Sequence, residues 1–123
     1  MKKLQILIVD DIFTNRLLLS ELIRTLGHGS LQAENGQEAI ELLNENEIDL
    51  ILLDIEMPVM NGIETCQYIR REMPPPKSAT LVVAVTAHNP GLFFEDFSNA
   101  GFDELLTKPY SLDKIIELIN TLT

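Results

Sequence analysis

The sequence predicts a single α/β domain in which helices cover both faces of a parallel β-sheet. Strand-like and helix-like segments alternate five times along the 123 residues, with no linker or low-complexity stretch between them. Such alternation implies right-handed crossovers, which build parallel sheets. The strand-like segments are short apolar runs, as expected for strands that are buried on both faces. We therefore expect residues 1–123 to form one domain.

Five strands and five helices follow from these patterns. The strands are predicted at residues 4–9, 30–33, 48–53, 81–85 and 103–106. The helices are predicted at residues 12–26, 35–46, 61–72, 89–100 and 112–122. The apolar residues of the last helix fall on one face, which favours packing of that face against the sheet: Leu112, Ile115, Ile116, Ile119 and Leu122.

The predicted helix boundaries rest on capping residues. Asn35 and Asn61 are each followed three residues later by a glutamate, which is the pattern of a capping box. Gly27 suits the end of the first helix, because glycine accepts the left-handed backbone that often terminates helices. The remaining boundaries are predicted at residues that stop or cap helices: Pro74, Asn89, Pro90 and Ser111.

The composition is that of an ordinary soluble domain, with 46% hydrophobic and 23% charged residues. A net charge of −10 argues against nucleic-acid binding, which relies on Lys and Arg, and against docking on anionic membranes. Because no signal-peptide core precedes the first strand and no apolar run approaches the roughly 20 residues that span a bilayer, we expect a cytoplasmic protein. The single Cys66 lies in a helical pattern that indicates a small buried hydrophobe.

Polar residues stand at the ends of the predicted strands. Asp10 and Asp11 follow the first strand, and Asp54 follows the third. Thr86 follows the fourth strand and Lys108 the fifth. Because parallel strands bring their carboxyl ends to one edge, where open α/β sheets place their sites, we expect these side chains to share one crevice. Three carboxylates, a hydroxyl and an ammonium have the composition of a phosphoryl-transfer site.

The three aspartates also indicate a metal. Carboxylates in one crevice repel one another, and the ammonium of Lys108 does not balance them alone. A hard divalent cation with oxygen ligands relieves the repulsion, and Mg²⁺ is the usual choice where phosphates are also bound. We therefore expect Mg²⁺, or Mn²⁺ in its place, as the cofactor.

Four segments resemble the motifs of response-regulator receiver domains of two-component signalling. They are VDD at 9–11, LLDIEMPVMNG at 52–62, VTA at 85–87 and TKP at 107–109. They follow the family's order and spacing over essentially the whole chain. The resemblance implies the flavodoxin-like strand order 2-1-3-4-5. It also implies a phosphoryl donor that is a histidine kinase or a histidine phosphotransfer protein, and a downstream protein that the sequence does not name.

The resemblance assigns roles to the site residues. Asp54 is the phosphoacceptor, because a carboxylate can attack phosphorus to give an acyl phosphate. Asp11 and Asp54 bind Mg²⁺ directly, Asp10 acts mostly through water, and the backbone carbonyl of Glu56 completes the protein ligands. Lys108 stabilises the phosphoryl charge as it develops.

Further residues are expected to sense or time the phosphorylation. The hydroxyl of Thr86 can donate to a phosphoryl oxygen and so detect its presence. Glu56 and His88, two residues after Asp54 and Thr86, flank the path of an attacking water in the family. Glu56 could orient or repel that water or contact the metal. His88 could shield the site, carry a proton near neutral pH, or be an ordinary loop residue.

Leu105 departs from the family pattern. Three residues before Lys108, receivers usually carry Tyr or Phe, whose ring turns inward as the threonine shifts. Tyr110 supplies a ring nearby, but from a different position. We therefore expect the phosphorylation chemistry to be retained and the switch formed by Thr86, Leu105 and Tyr110 to respond weakly or by another route. The Lys108–Pro109 bond is a candidate cis peptide.

These features predict a phosphoacceptor receiver that catalyses its own phosphorylation and dephosphorylation and is not a turnover enzyme. An aspartate-nucleophile phosphohydrolase would use a similar site, but it typically needs an aspartate where Glu56 stands and a cap domain. A pseudoreceiver would bind partners without phosphorylation, and the complete set of site residues argues against it. The chain is either a stand-alone regulator or the receiver of a larger protein. Phe93, Phe94 and Phe97 belong either to the core or to a partner surface.

Overall fold

The computed structural model describes residues 3–87 and 99–122, which form a five-stranded parallel sheet flanked by helices. The strands are β1 (Gln5–Val9), β2 (Gly29–Ala33), β3 (Leu50–Asp54), β4 (Leu81–Thr86) and β5 (Glu104–Thr107). They lie in the order β2-β1-β3-β4-β5, and every pairing is parallel. The predicted fold class and strand order are therefore confirmed.

Four α-helices lie within the described residues, where the sequence predicts five along the chain. They are α1 (Phe13–Thr25), α2 (Gly36–Glu45), α3 (Gly62–Glu72) and α4 (Leu112–Leu122). The additional helix is predicted at residues 89–100, and most of that segment, with its cap residues and its three phenylalanines, lies outside the described residues. None of the described helices is long and apolar enough to cross a membrane.

Side chains cap the starts of α2 and α3, as predicted. Asn61 accepts from the N–H of Glu64 at 2.8 Å, and the Glu64 carboxylate accepts from the N–H of Asn61 at 3.1 Å, which completes a capping box. Asn35 accepts from the N–H of Glu38 at 2.9 Å. The Glu38 carboxylate, however, accepts from the N–H of Glu34 at 3.1 Å, so the second half of this box is displaced by one residue.

Other boundaries agree with the sequence patterns to within one or two residues. Gly27 has a φ of +89° directly after α1, which is the left-handed conformation expected there. Ser111 accepts from the N–H of Lys114 at 3.3 Å before α4. β3 begins two residues later than predicted and β5 one residue later. The starts of these strands depend on pairing with neighbouring strands, which the apolar pattern of one segment does not report.

Hydrophobic clusters lie on both faces of the sheet. On one face, Ile8 packs with Ile23 of α1 and Ile115 of α4. On the other face, Leu53 packs with residues of α2 and α3, among them Cys66. Burial raises the pKa of the Cys66 thiol to about 11, so this side chain stays protonated and is a small buried hydrophobe, as predicted. Because side chains of the helices pack on both faces of the sheet, we expect a site at the ends of the strands.

Candidate functional site

The carboxyl edge of the sheet brings the three predicted aspartates together. Asp10 follows β1 and Asp54 ends β3, and both are buried, with exposed fractions of 2% and 5%. Asp11 is exposed at the rim. Carboxylate oxygens of the three residues all lie within 4.8 Å of one another. The expected cluster of carboxylates is therefore present.

Lys108 approaches the two buried carboxylates from the end of β5. Its Nζ lies 3.7 Å from Oδ2 of Asp10 and 3.7 Å from Oδ2 of Asp54, which is within ion-pair range but too long for a hydrogen bond. The Lys108–Pro109 bond is cis, as the sequence predicts, and the Pro75–Pro76 bond is also cis. One ammonium offsets at most one of the three carboxylates, so negative charge is in excess within this cluster.

The excess charge acts most clearly on Asp54. Burial raises the pKa of Asp54 from 3.8 to about 6, and the charges of Asp10 and Asp11 add to this rise. Two contacts oppose it: the N–H of Glu56, which donates to Oδ1 of Asp54 at 3.1 Å, and the ammonium of Lys108. Near neutral pH the Asp54 carboxylate is thus mostly ionised, in an environment that favours any added positive charge.

The donor set fits a hard divalent cation. Asp10, Asp11 and Asp54 each offer a carboxylate oxygen within 4.8 Å of the other two, and Asp11 is exposed to solvent. Mg²⁺ prefers oxygen ligands and retains several waters when it binds to carboxylates. Glu56 follows this edge of β3 and is exposed. The residues therefore suit the metal that the sequence predicts.

Thr86 ends β4 and is buried, with an exposed fraction of 1%. Its position follows from the register of the sheet, since Asp54 pairs with Val85 and Thr86 pairs with Thr107. The carbonyl oxygen of Thr86 accepts from the N–H of Lys108 at 2.8 Å. The predicted sensor thus lies beside the end of β3 and is tied to the backbone of the site lysine.

The remaining predicted site residues have different surroundings. His88 lies outside the described residues. Leu105 is half-buried and lines a groove of about 270 Å³ between β5 and α4. Tyr110 is half-buried and packs against the core between the sheet and α1 and α4. Burial, together with the charges of Asp10 and Asp54, raises the pKa of Tyr110 to about 12, so its hydroxyl lies within the electrostatic reach of both carboxylates.

The loop that follows Asp54 has two features that the sequence motifs do not predict. Val59 has a φ of +70°, and the N–H of Met60 donates to the carbonyl of Pro58 at 2.8 Å. This is a γ-turn-like bend, which strains a β-branched residue. A Cβ on Gly62 would lie 2.4 Å from the carbonyl oxygen of Asp54, so glycine allows α3 to begin directly against β3. A glycine at the first helical position is the available sequence signal for such an approach.

Two residues of α1 also contact the site, and the motifs do not identify them. Nδ2 of Asn15 donates to Oδ2 of Asp10 at 3.3 Å. Nη1 of Arg16 donates to the carbonyl oxygen of Asp10 at 2.7 Å. The available signal is a pair of adjacent polar residues at the start of a helix that directly follows the acidic pair.

The sequence matches known proteins over nearly its full length. Residues 6–120 match the response regulator receiver domain family. The autoinducer 1 sensor kinase/phosphatase LuxN of Vibrio campbellii is 39% identical over 110 residues, which cover 89% of this chain and 12% of LuxN. The aerobic respiration control sensor protein ArcB of Escherichia coli is 34% identical over 121 residues, which cover 94% of this chain and 15% of ArcB. The chain thus spans a small part of these relatives.

The fold also matches a receiver of known structure. The receiver domain of the sensor histidine kinase PA1611 from Pseudomonas aeruginosa has a TM-score of 0.88 at 23% identity, with 98% of each chain covered. That structure has a magnesium ion coordinated in its active site cleft. The sequence match, the strand order and the carboxylate cluster agree with one another. The chain therefore belongs to the response regulator receiver domain family, whose members act in phosphorelay signalling.

Proposed function

We propose that this receiver accepts a phosphoryl group on Asp54 from a phosphohistidine of a histidine kinase or a histidine phosphotransfer protein, in a Mg²⁺-dependent reaction. The observation that carries the proposal is the carboxylate cluster. Asp54 is buried at a strand end, within 4.8 Å of oxygens of Asp10 and Asp11, and Lys108 lies 3.7 Å away. Family membership favours this function over that of a phosphohydrolase.

Each side chain at the carboxyl ends of the strands has a proposed role in the phosphoryl transfer. The Asp54 carboxylate supplies the electron pair of the new P–O bond, while the P–N bond to the donor histidine breaks and the imidazole keeps that bond's electrons. The ammonium of Lys108 is close enough to contact the phosphoryl oxygens, where charge develops. The hydroxyl of Thr86 then donates to a phosphoryl oxygen of the product. A bound Mg²⁺ supplies positive charge for the transferring group.

The ligand set of the metal is part of the proposal. Asp11 and Asp54 would bind Mg²⁺ directly and Asp10 mostly through water, with the backbone carbonyl of Glu56 as a further ligand. The magnesium ion in the active site cleft of the PA1611 receiver supports Mg²⁺ as the metal. Mn²⁺ prefers similar oxygen donors and is the alternative metal.

The lifetime of the phosphoryl group is set within the same domain. The receiver catalyses its own phosphorylation and later hydrolysis and has no external substrate to turn over. Glu56 and His88 are the residues that we propose to modulate the attacking water. The exposed position of Glu56, two residues after Asp54, supports this role.

The donor protein is proposed to dock on α1. This helix begins two residues after Asp11, so its exposed apolar side chains border the site. They form a patch with exposed fractions of 46% to 62%: Ile12, Phe13, Leu17 and Leu18. An apolar patch beside a phosphoacceptor suits a helical surface that carries the phosphohistidine.

A substitution in this patch separates docking from chemistry. Leu17→Ser should slow transfer from a phosphorylated phosphotransfer protein by about tenfold, the loss expected from one buried leucine contact. It should leave phosphorylation by acetyl phosphate unchanged. Tyr68→Ser, which removes an exposed ring from α3, is the matched control. Equal transfer rates to Leu17→Ser and wild type would exclude docking at this position.

The output response is proposed to run through Tyr110. The side chain of Leu105 has no ring to bury and no hydroxyl to exchange partners when Thr86 moves toward the phosphoryl group. The hydroxyl of Tyr110 is within the electrostatic reach of Asp54, so it can respond to the new charge. The downstream partner would then read a change near Pro109 and the start of α4.

Intact-protein mass spectrometry with acetyl phosphate tests the proposed function. The wild type should gain one phosphoryl group with Mg²⁺ and none with EDTA, and Asp54→Asn should gain none. Asp113→Asn, at an exposed carboxylate in the first turn of α4, is the control and should behave as the wild type. Equal phosphorylation of Asp54→Asn and wild type would contradict the assignment. A wild type that binds no Mg²⁺ and takes up no phosphate would support a pseudoreceiver.

A further inference from the structure

Asp10 is held at every polar atom. Its N–H donates to the carbonyl of Ala33 at 3.1 Å, and its own carbonyl accepts from Arg16 at 2.7 Å. In its carboxylate, Oδ1 accepts from the N–H of Ile12 at 2.8 Å and Oδ2 accepts from Asn15 at 3.3 Å. Oδ2 is also the oxygen that faces Lys108 at 3.7 Å. The orientation of this buried carboxylate is therefore tightly restrained.

Asn15 and Arg16 act on the same residue from one turn of helix. They are the third and fourth residues of α1, where side chains lean back toward the start of the helix. Asn15 reaches the side chain of Asp10, while Arg16 reaches its backbone and also donates to Gln32 at 3.3 Å. Arg16 thus fixes where Asp10 sits relative to the end of β2, and Asn15 fixes how its carboxylate is turned.

We propose that Asn15 is a positioning residue for the metal site: its amide holds Oδ2 of Asp10 in the carboxylate cluster and so sets the affinity for Mg²⁺. The inference rests on the proposed function of the cluster and adds a residue that contacts neither metal nor phosphate. Hydrogen bonds to metal-binding carboxylates orient them, and their loss typically lowers metal affinity by about 10- to 100-fold. Since Asp10 is proposed to act mostly through water, we expect the lower end of this range.

Asn15 and Lys108 both approach Oδ2 of Asp10, and this predicts that the loss of Asn15 lowers the affinity for Mg²⁺. Without the Asn15 amide, Oδ2 of Asp10 is left with the ammonium at 3.7 Å as its described polar neighbour. The carboxylate can then turn toward Lys108 and away from the oxygens of Asp11 and Asp54. The cluster then presents less negative charge to a cation, because the Asp10 carboxylate has moved away from the other two and lies closer to the ammonium.

A purely structural role for Asn15 predicts a different result. If Asn15 served α1 alone, Asn15→Ala would change the melting temperature and leave the Mg²⁺ dissociation constant unchanged. Alanine is a better helix former than asparagine, so the helix itself should tolerate the change. The Mg²⁺ affinity and the melting temperature therefore distinguish the two roles.

Calorimetric titration with Mg²⁺ tests the proposal on the wild type, Asn15→Ala, Asn15→Gln and Thr14→Ala. We expect Asn15→Ala to raise the dissociation constant about tenfold, and Asn15→Gln to recover part of the affinity, because its longer side chain carries the same amide. Thr14→Ala, at the exposed position before Asn15, should bind as the wild type.

The outcomes separate this proposal from the proposed function. Wild-type affinity in Asn15→Ala, with normal phosphorylation of the wild type, would overturn the role of Asn15 and leave the phosphoacceptor assignment standing. A wild type that neither binds Mg²⁺ nor is phosphorylated would overturn both. A lower phosphorylation rate of Asn15→Ala at saturating Mg²⁺ with an unchanged dissociation constant would also reject the positioning role.

Discussion

Charged side chains are paired differently at the two ends of the strands in this sheet. At the amino end, the Arg70 guanidinium donates to three backbone carbonyls and to the Asp103 carboxylate, at 2.6 to 3.0 Å. The Asp103 carboxylate also accepts from the N–H of Val82 at 2.8 Å. At the carboxyl end, Asp54 accepts from one backbone N–H at 3.1 Å and faces Lys108 at 3.7 Å. At the amino end, Arg70 and Asp103 are thus paired at hydrogen-bond distance, whereas the carboxyl end keeps an excess of negative charge.

This difference separates residues that stabilise the fold from residues that serve the site. At the amino end, Lys77 likewise donates to the carbonyls of Leu43 and Asn46 at the end of α2. At the carboxyl end, burial raises the pKa of Asp54 to about 6, and the charges of the neighbouring carboxylates add to this rise. Such repulsion lowers stability until a cation binds, and binding to the folded state then restores it. The proposed phosphorylation site thus lies at the carboxyl end of the sheet, where the fold leaves an excess of negative charge.

The largest expected effect of breaking the neutralised end is on stability. Arg70→Ala leaves three carbonyls and the Asp103 carboxylate without the guanidinium, so the free energy of unfolding should fall by about 3 kcal/mol. Urea denaturation measures this change. The Mg²⁺ dissociation constant should stay within about twofold, as expected for a site that shares no partner with Arg70. Arg71→Ala, at the exposed neighbouring position, should change neither quantity. A large loss of Mg²⁺ affinity in Arg70→Ala would show that the two ends are coupled.

Removing the ammonium of Lys108 from the carboxyl end should lower the rate of phosphorylation. Lys108→Ala should slow phosphorylation by acetyl phosphate by on the order of 100-fold, because the ammonium no longer stabilises the transferring group. Mg²⁺ affinity should stay the same or rise, since a competing positive charge has left the cluster. Stopped-flow mixing and calorimetry give the two quantities. Loss of Mg²⁺ binding in Lys108→Ala would contradict its proposed phosphate-facing role.

The smallest expected effect concerns the backbone strain beside Asp54. Val59→Gly should raise the free energy of unfolding by about 0.5 to 1 kcal/mol, because glycine accepts a positive φ without a side-chain clash. Thermal denaturation of the two proteins is sufficient to detect this change. The free energy of unfolding of Val59→Ala should lie between those of the wild type and Val59→Gly. A lower stability of Val59→Gly would indicate that the turn carries no net strain.

The sequence predicts the positions of the site residues well because these positions depend on local patterns. Asp10, Asp54 and Thr86 follow directly from where short apolar runs end, since parallel strands end at one edge. The cap at Asn61 follows from residues three apart. The roles assigned through family resemblance remain predictions, and so does the altered switch at Leu105.

Contacts between distant segments could not be predicted in this way. The Arg70 guanidinium meets Gly101 and Asp103, which are 31 and 33 residues away in sequence. The contact of Asn15 with Asp10 joins residues that are close in sequence, but it depends on the direction in which α1 leaves the sheet. Such contacts are set by the packing of whole elements, and no periodicity or capping pattern reports them.

The stability of Asp54→Asn shows whether burial and the neighbouring carboxylates destabilise the ionised form of Asp54 in the metal-free protein. The pKa of folded Asp54, about 6, lies above its ordinary value of 3.8, so the wild type should lose stability as the pH rises from about 4 to about 6. At about 1.4 kcal/mol per pKa unit, halved for solvent screening, Asn should stabilise the metal-free protein by about 1 to 2 kcal/mol at pH 7.5. At pH 4 the advantage should nearly vanish.

Urea denaturation of both proteins at these two pH values, with and without Mg²⁺, is the decisive measurement. We expect Asp54→Asn to be the more stable protein at pH 7.5 in EDTA. Saturating Mg²⁺ should stabilise the wild type more than Asp54→Asn and so reduce or reverse the difference. A wild type that is more stable than Asp54→Asn at pH 7.5 in EDTA, or whose stability does not rise with Mg²⁺, would show that the ionised Asp54 carboxylate does not destabilise the metal-free protein.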